Sequence, residues 1–123
     1  MQYLLMCCFD EARWDQLPED ERARVMQDYG ALCESLAKSG HYRAGAKLAS
    51  SRAATTVREN AGRRVLTDGP FAETKEQLGG YHVIECRDLD EALAIAQRIP
   101  TLPVGGVVEV RPLAAALPAS RSA

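Results

Sequence analysis

The chain opens on an unbroken apolar run over residues 3–9, which predicts a strand buried on both faces. Residues 10–16 are polar and read as a loop carrying the single tryptophan, Trp14. The period then changes. Val25, Met26, Tyr29, Leu32, Cys33, Leu36 and Ala37 share one helical face, predicting a helix over 18–39. Pro18 suits a first helical turn, Glu19, Asp20 and Glu21 suit the positive end of its dipole, and Gly40 supplies a stop. Residues 41–48, interrupted by Gly45, read as an irregular strand, with a small-residue loop over 49–53. The β-branched content of 54–58 and 64–67, around Asn60-Ala61-Gly62, predicts a hairpin.

Residues 81–86 form the next strand signal, apolar on both parities. Asp88 with Glu91 three residues later is a capping-box pattern. It opens a helix with the buried stripe Leu89, Ala92, Leu93, Ala96 and Ile99, which Pro100 ends. Gly105-Gly106 leads into a last strand over 107–111, and from Ala114 the composition turns to Ala, Ser and Pro. One domain over 1–113 with a frayed tail over 114–123 is expected. The order strand, helix, strand, hairpin, strand, helix, strand predicts an α+β fold: a ferredoxin-like split βαβ sheet with both helices on one face. The other face is then too apolar to meet water, so a homodimer is expected.

Composition narrows the classes. A formal net charge of −2 lacks the basic face of a dedicated nucleic-acid binder, and Arg58, Arg63 and Arg64 read as a solvated hairpin tip. The four cysteines, Cys7, Cys8, Cys33 and Cys86, show no C-x-x-C spacing. Each sits in an apolar run, which fits small buried hydrophobes in a reducing compartment and no metal site. Adjacent Cys7 and Cys8 on a strand point to opposite faces. No basic leader and no membrane-length apolar stretch occurs, so a cytoplasmic protein is expected.

The densest stretch is 67–81, T-D-G-P-F-A-E-T-K-E-Q-L-G-G-Y. Asp68-Gly69-Pro70 breaks a strand, a short helical turn over 73–78 is expected, and Gly79-Gly80 reads as a second hinge. D-G-P-F-A-E-T-K-E-Q-L-G-G-Y, followed by V-I-E, D-L-D-E-A, R-I-P and V-E-V-R-P-L, resembles the DGPF-domain proteins of the YCII-related family. That resemblance runs from Met1 to Leu113 and implies a dimeric α+β barrel, two sheets face to face with a cleft nearby. Some YCII-like relatives look like lactone-processing or dehalogenating lyases and isomerases that rely on a His and an Asp near the cleft. The helix over 18–39 contains no histidine, so that mechanism does not carry over directly. The family also resembles companions of extracytoplasmic-function sigma factors, which would make the chain a non-catalytic accessory or ligand-binding module.

Candidate chemistry falls into three groups. Asp68, Glu73 and Glu76 around Lys75 offer either an acid–base pair or an ion-pair network that orders the loop. Asp68 or Glu73 would serve as the general base in a dry cleft, with Lys75 binding ligand. His82, on a strand with Ile84 and Cys86 at alternate positions, is either a satisfied core histidine or a catalytic one. His41, after the Gly40 stop, sits where a helix C-terminus favours imidazolium. Arg111, with Glu109 on its strand face, can clamp a carboxylate with Arg58 as second cation, or Glu109 can pair with Arg58 or Arg111 across the sheet or dimer seam. Tyr81 and Trp14 can wall a cleft. Gly79-Gly80 and Gly105-Gly106 precede strands, so neither is a phosphate loop, and no G-x-S-x-G elbow occurs. The clustered carboxylates, with the barrel that the family resemblance implies, give the expectation of a cofactor-free lyase or isomerase acting on a small carbonyl or lactone-like acid.

Overall fold

In the computed structural model, which describes residues 1–118, four strands form one antiparallel sheet in the order β2-β5-β1-β6. These are β1 (Gln2–Phe9), β2 (Tyr42–Lys47), β5 (Gln77–Glu85) and β6 (Val107–Pro112). Two of the helices are α2 (Glu19–Lys38) and α3 (Leu89–Ala96). This is the split βαβ arrangement, with β5 inserted between β1 and β2. The hairpin of β3 (Thr55–Asn60) and β4 (Arg63–Asp68) stands apart as its own two-stranded ribbon. Its turn places Ala61 and Gly62 at φ of 52° and 79°, the left-handed pair that a two-residue hairpin turn requires.

Strand alternation divides the sheet. Tyr3, Leu5 and Cys7 of β1 and Ile84 of β5 are buried with Leu32 and Leu36 of α2 and Ala92, Ile95 and Ala96 of α3. Both long helices therefore cover one face. The alternates Leu4 and Met6, beside Val83 and Tyr81, occupy the other face and are half-buried. Within this chain, β1 is thus buried on one face, where burial on both was expected. Cys7 and Cys8 do part: Cys7 is buried, whereas Cys8 pairs with the exposed Val107.

The helix ends follow their capping chemistry. Asp88 accepts from the Glu91 amide at 2.9 Å, and Glu91 reaches back to the Arg87 amide at 3.0 Å. Glu91 also meets Arg87 Nη2 at 2.9 Å and His41 Nε2 at 3.3 Å, tying the start of α3 to the chain beyond α2.

Three further expectations are corrected. Residues 10–16 are not a loop: Asp10 accepts from the Ala12 amide at 3.0 Å and caps a short helix, α1 (Glu11–Gln16). No helical turn forms over 73–78, because β5 begins at Gln77, four residues earlier than expected. Cys8 and Phe9 at the end of β1 supply the pairing partners for Leu78 and Gln77. Gly79-Gly80 consequently lies inside a strand, and neither residue has a positive φ, so the pair is not a hinge. A register shift between Cys7 and Cys8 accommodates Gly79 as the extra residue of a bulge. Residues 119–123 of the expected tail lie outside the described residues.

Among the described residues, no helix is long and apolar enough to cross a membrane.

Candidate functional site

Where α2 crosses β2 and β5, the sequence withholds side chains. Gly30 on α2, Gly45 on β2 and Gly79-Gly80 on β5 all border one cavity of about 550 Å³. None of them has a positive φ, so the backbone does not demand glycine at these positions. Their common effect is space.

The inner wall is aromatic. His82 shares the helix-facing side of the sheet with Gly45 and Leu5, its cross-strand partners. Its ring stacks on Tyr29 of α2, with centroids 5.8 Å apart and planes at 27°, while Tyr42 meets it edge-on at 6.4 Å. His82 Nδ1 is buried and has no hydrogen-bond partner among the described residues. A buried, unpaired ring nitrogen carries an unrecovered desolvation cost. Burial also pushes the His82 pKa below the ordinary 6.5, because a charged imidazolium would lose its hydration there. The ring is therefore neutral at pH 7, with one lone pair and one N–H.

Tyr29 and Cys7 sit alongside. Burial first, then the neighbouring Cys7, pushes the Tyr29 phenol upward, so it remains a protonated donor. Burial likewise raises the Cys7 thiol, which makes it a poor nucleophile. Phe9 and Trp14 meet edge to face at 5.8 Å near the mouth. There, both Glu11 carboxylate oxygens accept from the Ser51 amide at 3.1 Å. Hydrogen bonding from Ser51 is the main reason the Glu11 pKa falls below its ordinary value. Gln77 accepts from the Glu11 amide at 2.9 Å, so α1, the 50–53 segment and β5 are laced together at the rim.

Of the residues singled out by sequence, His82 and Trp14 border this cavity. Asp68 ends β4 opposite Thr55, and Glu73, Lys75 and Glu76 are exposed on the connection to β5. Among the described residues no ion pair joins these four. Arg58 donates to the Phe71 carbonyl at 2.7 Å, which ties the ribbon to the following loop. Arg111 is exposed and pairs with Glu109 two residues away on its own strand. Tyr81 adjoins His82 in sequence but lies on the opposite sheet face, beside Met6 and Ala46. Tyr29, Tyr42, Gly45 and Lys47 were not singled out. Gly45 alone carried a local signal, since an isolated glycine within a strand marks close approach of neighbours.

Gly45 gives a direct test of the wall. A Cβ there would stand 2.8 Å from both His82 Nδ1 and Tyr42 Oη, and 3.0 Å from the Tyr81 carbonyl. Gly45→Ala must therefore push the imidazole out of place. The expected cost is about 1–3 kcal/mol of stability from overpacking. Thermal melts read that cost, and shifted His82 ring resonances in NMR read the displacement.

The 5-chloro-2-hydroxyhydroquinone dehydrochlorinase of Burkholderia phenoliruptrix AC1100, solved with 2,5-dihydroxybenzoquinone, aligns over 94% of this chain and 96% of its own. That alignment has 16% identity and a TM-score of 0.48. An uncharacterised protein of Rhizobium meliloti (strain 1021) is 42% identical over 115 residues, 93% of each chain. The YCII-related domain model matches residues 1–115, and the chain belongs to that family.

Proposed function

We propose that this protein is a cofactor-free acid–base enzyme, a lyase or isomerase acting on a small carbonyl or lactone-like acid in the cavity beneath α2. The observation that carries this reading is His82: a neutral imidazole on the wall of a mainly apolar cavity, with a ring nitrogen that no group of the described residues satisfies. A neutral imidazole takes a proton from a carbon next to a carbonyl and returns it elsewhere, or holds it while a leaving group departs. The Tyr29 phenol, kept protonated by burial, is the donor for the oxygen that gains charge. Glu73 and Asp68, outside the cavity, act in this reading only on the ribbon and loop they belong to.

Proton exchange is the direct assay. Enolisable carbonyl and lactone acids incubated with the protein in D₂O should gain deuterium next to the carbonyl, followed by proton NMR. A panel showing no exchange above the protein-free rate would sink the reading.

A second copy completes the proposed assembly. Leu4, Met6, Tyr81 and Val83 share the sheet face away from α2 and α3, a contiguous apolar surface suited to the same face of another chain. Light scattering should return twice the monomer mass for the wild type, and Val83→Asp should shift it toward the monomer. A monomeric wild type at micromolar concentration would overturn the homodimer.

A further inference from the structure

Resting on that reading of the cavity, we infer that Lys47 reads an anionic group, a carboxylate in the simplest case, on the ligand held against His82. Lys47 and Gly45 lie two residues apart on β2, opposite Gly80 and His82 respectively, and so on the same helix-facing side. Two residues of strand advance about 7 Å. The Lys47 backbone therefore stands two strand positions from the residue opposite the imidazole, on the cavity wall. Gly80, its cross-strand neighbour, has no side chain to fill the space between Lys47 and Cys7.

The other charges at the mouth are placed differently. Glu11 is committed to the Ser51 amide, with Arg52 close enough to favour its ionised form. Asp15 also borders the cavity but is exposed on α1, and no ion pair joins it to Lys47. Lys47 Nζ lies 5.9 Å from the Trp14 ring centroid, and no carboxylate of the described residues reaches it within ion-pair distance. The indole face holds the ammonium at the mouth without neutralising it. A ligand carboxylate there would gain a charge-assisted hydrogen bond. It would also favour the imidazolium that forms when His82 accepts a proton.

The probes are benzoate, a planar carboxylate, and benzamide, its uncharged isostere. The chain's single tryptophan gives one indole N–H signal, and that signal reports on both titrations. Benzoate should bind at least about tenfold more tightly than benzamide, the scale of one partly desolvated charge pair. Lys47→Met should bring the two affinities together, and Lys47→Arg should keep them apart. Gly45→Ala should weaken both probes, which locates binding in the cavity. Equal affinities in the wild type, or a preference that survives Lys47→Met, would overturn the role of Lys47 alone. If neither probe binds, or Gly45→Ala weakens neither, the reading of the cavity falls with it.

Discussion

Leu5→Ala will cost this protein about 2–5 kcal/mol of stability, the range for deleting a fully buried leucine side chain. Leu5 is 0% exposed at the centre of β1, and β1 is the strand that joins β5 to β6. Its cross-strand partners are His82 on one side and Val110 on the other, with Leu32 and Leu36 in the same cluster. A cavity there cannot be refilled from the sheet, because the neighbouring strands are held by their own hydrogen-bond ladders. In urea, the midpoint should fall while the slope stays unchanged, the signature of lost stability in an unchanged fold. Leu5→Met conserves volume and should cost less than about 1.5 kcal/mol. If Leu5→Ala and Leu5→Met lose the same small amount, the central packing described here is wrong.

The same strand shows why the fold was largely legible from sequence. The period of 3.6 over Val25 to Ala37 gives α2 directly, and Asp88 with Glu91 gives the start of α3. With the strands identified, connection rules leave few sheets that two helices can cover on one side. The misses have local causes. Six residues of α1 are too few to show a helical period, although Asp10 and Glu11 carry its capping chemistry. The beginning of β5 depends on how far β1 extends toward Phe9, a long-range pairing that the residues at 77–80 do not encode alone.

The site was less legible because it is made by absence and by crossing elements. Asp68, Glu73 and Lys75 drew attention through charge density along the chain, yet charges close in sequence do not create an enclosed space. The cavity arises where α2 passes over Gly45 and Gly80, and no local pattern links Tyr29 to residues more than fifty positions later. His82 was visible as a histidine on an apolar strand. Its Nδ1, unpaired among the described residues, lies over Gly45, which offers neither donor nor acceptor side chain.

His82→Gln will abolish most of the proton exchange while leaving the fold in place. Removing a positioned acid–base group lowers turnover by about 10²–10⁴. Glutamine retains much of the ring's volume and polarity but cannot carry the proton. The pH dependence separates this role from a packing role. Burial depresses the His82 pKa below 6.5, so in the wild type the acid limb of kcat/KM should fall below that value, where the ring finally charges. Stability should follow the same sign. Between the depressed folded pKa and 6.5, the unfolded chain binds a proton that the folded chain refuses. The contribution of His82 is therefore fully present above 6.5 and is lost as pH falls through the folded pKa. Glu11, Glu85 and Glu91, all lowered from 4.5, lose their contributions only in a more acidic window. Thermal melts of the wild type should thus decline as pH falls from 6.5 toward the folded pKa of His82, and those of His82→Gln should stay flatter there. A variant that keeps its exchange rate would remove His82 from the chemistry. One that loses its rate but retains the wild-type melting slope would mean that some other group, not this imidazole, carries the pH dependence of the fold.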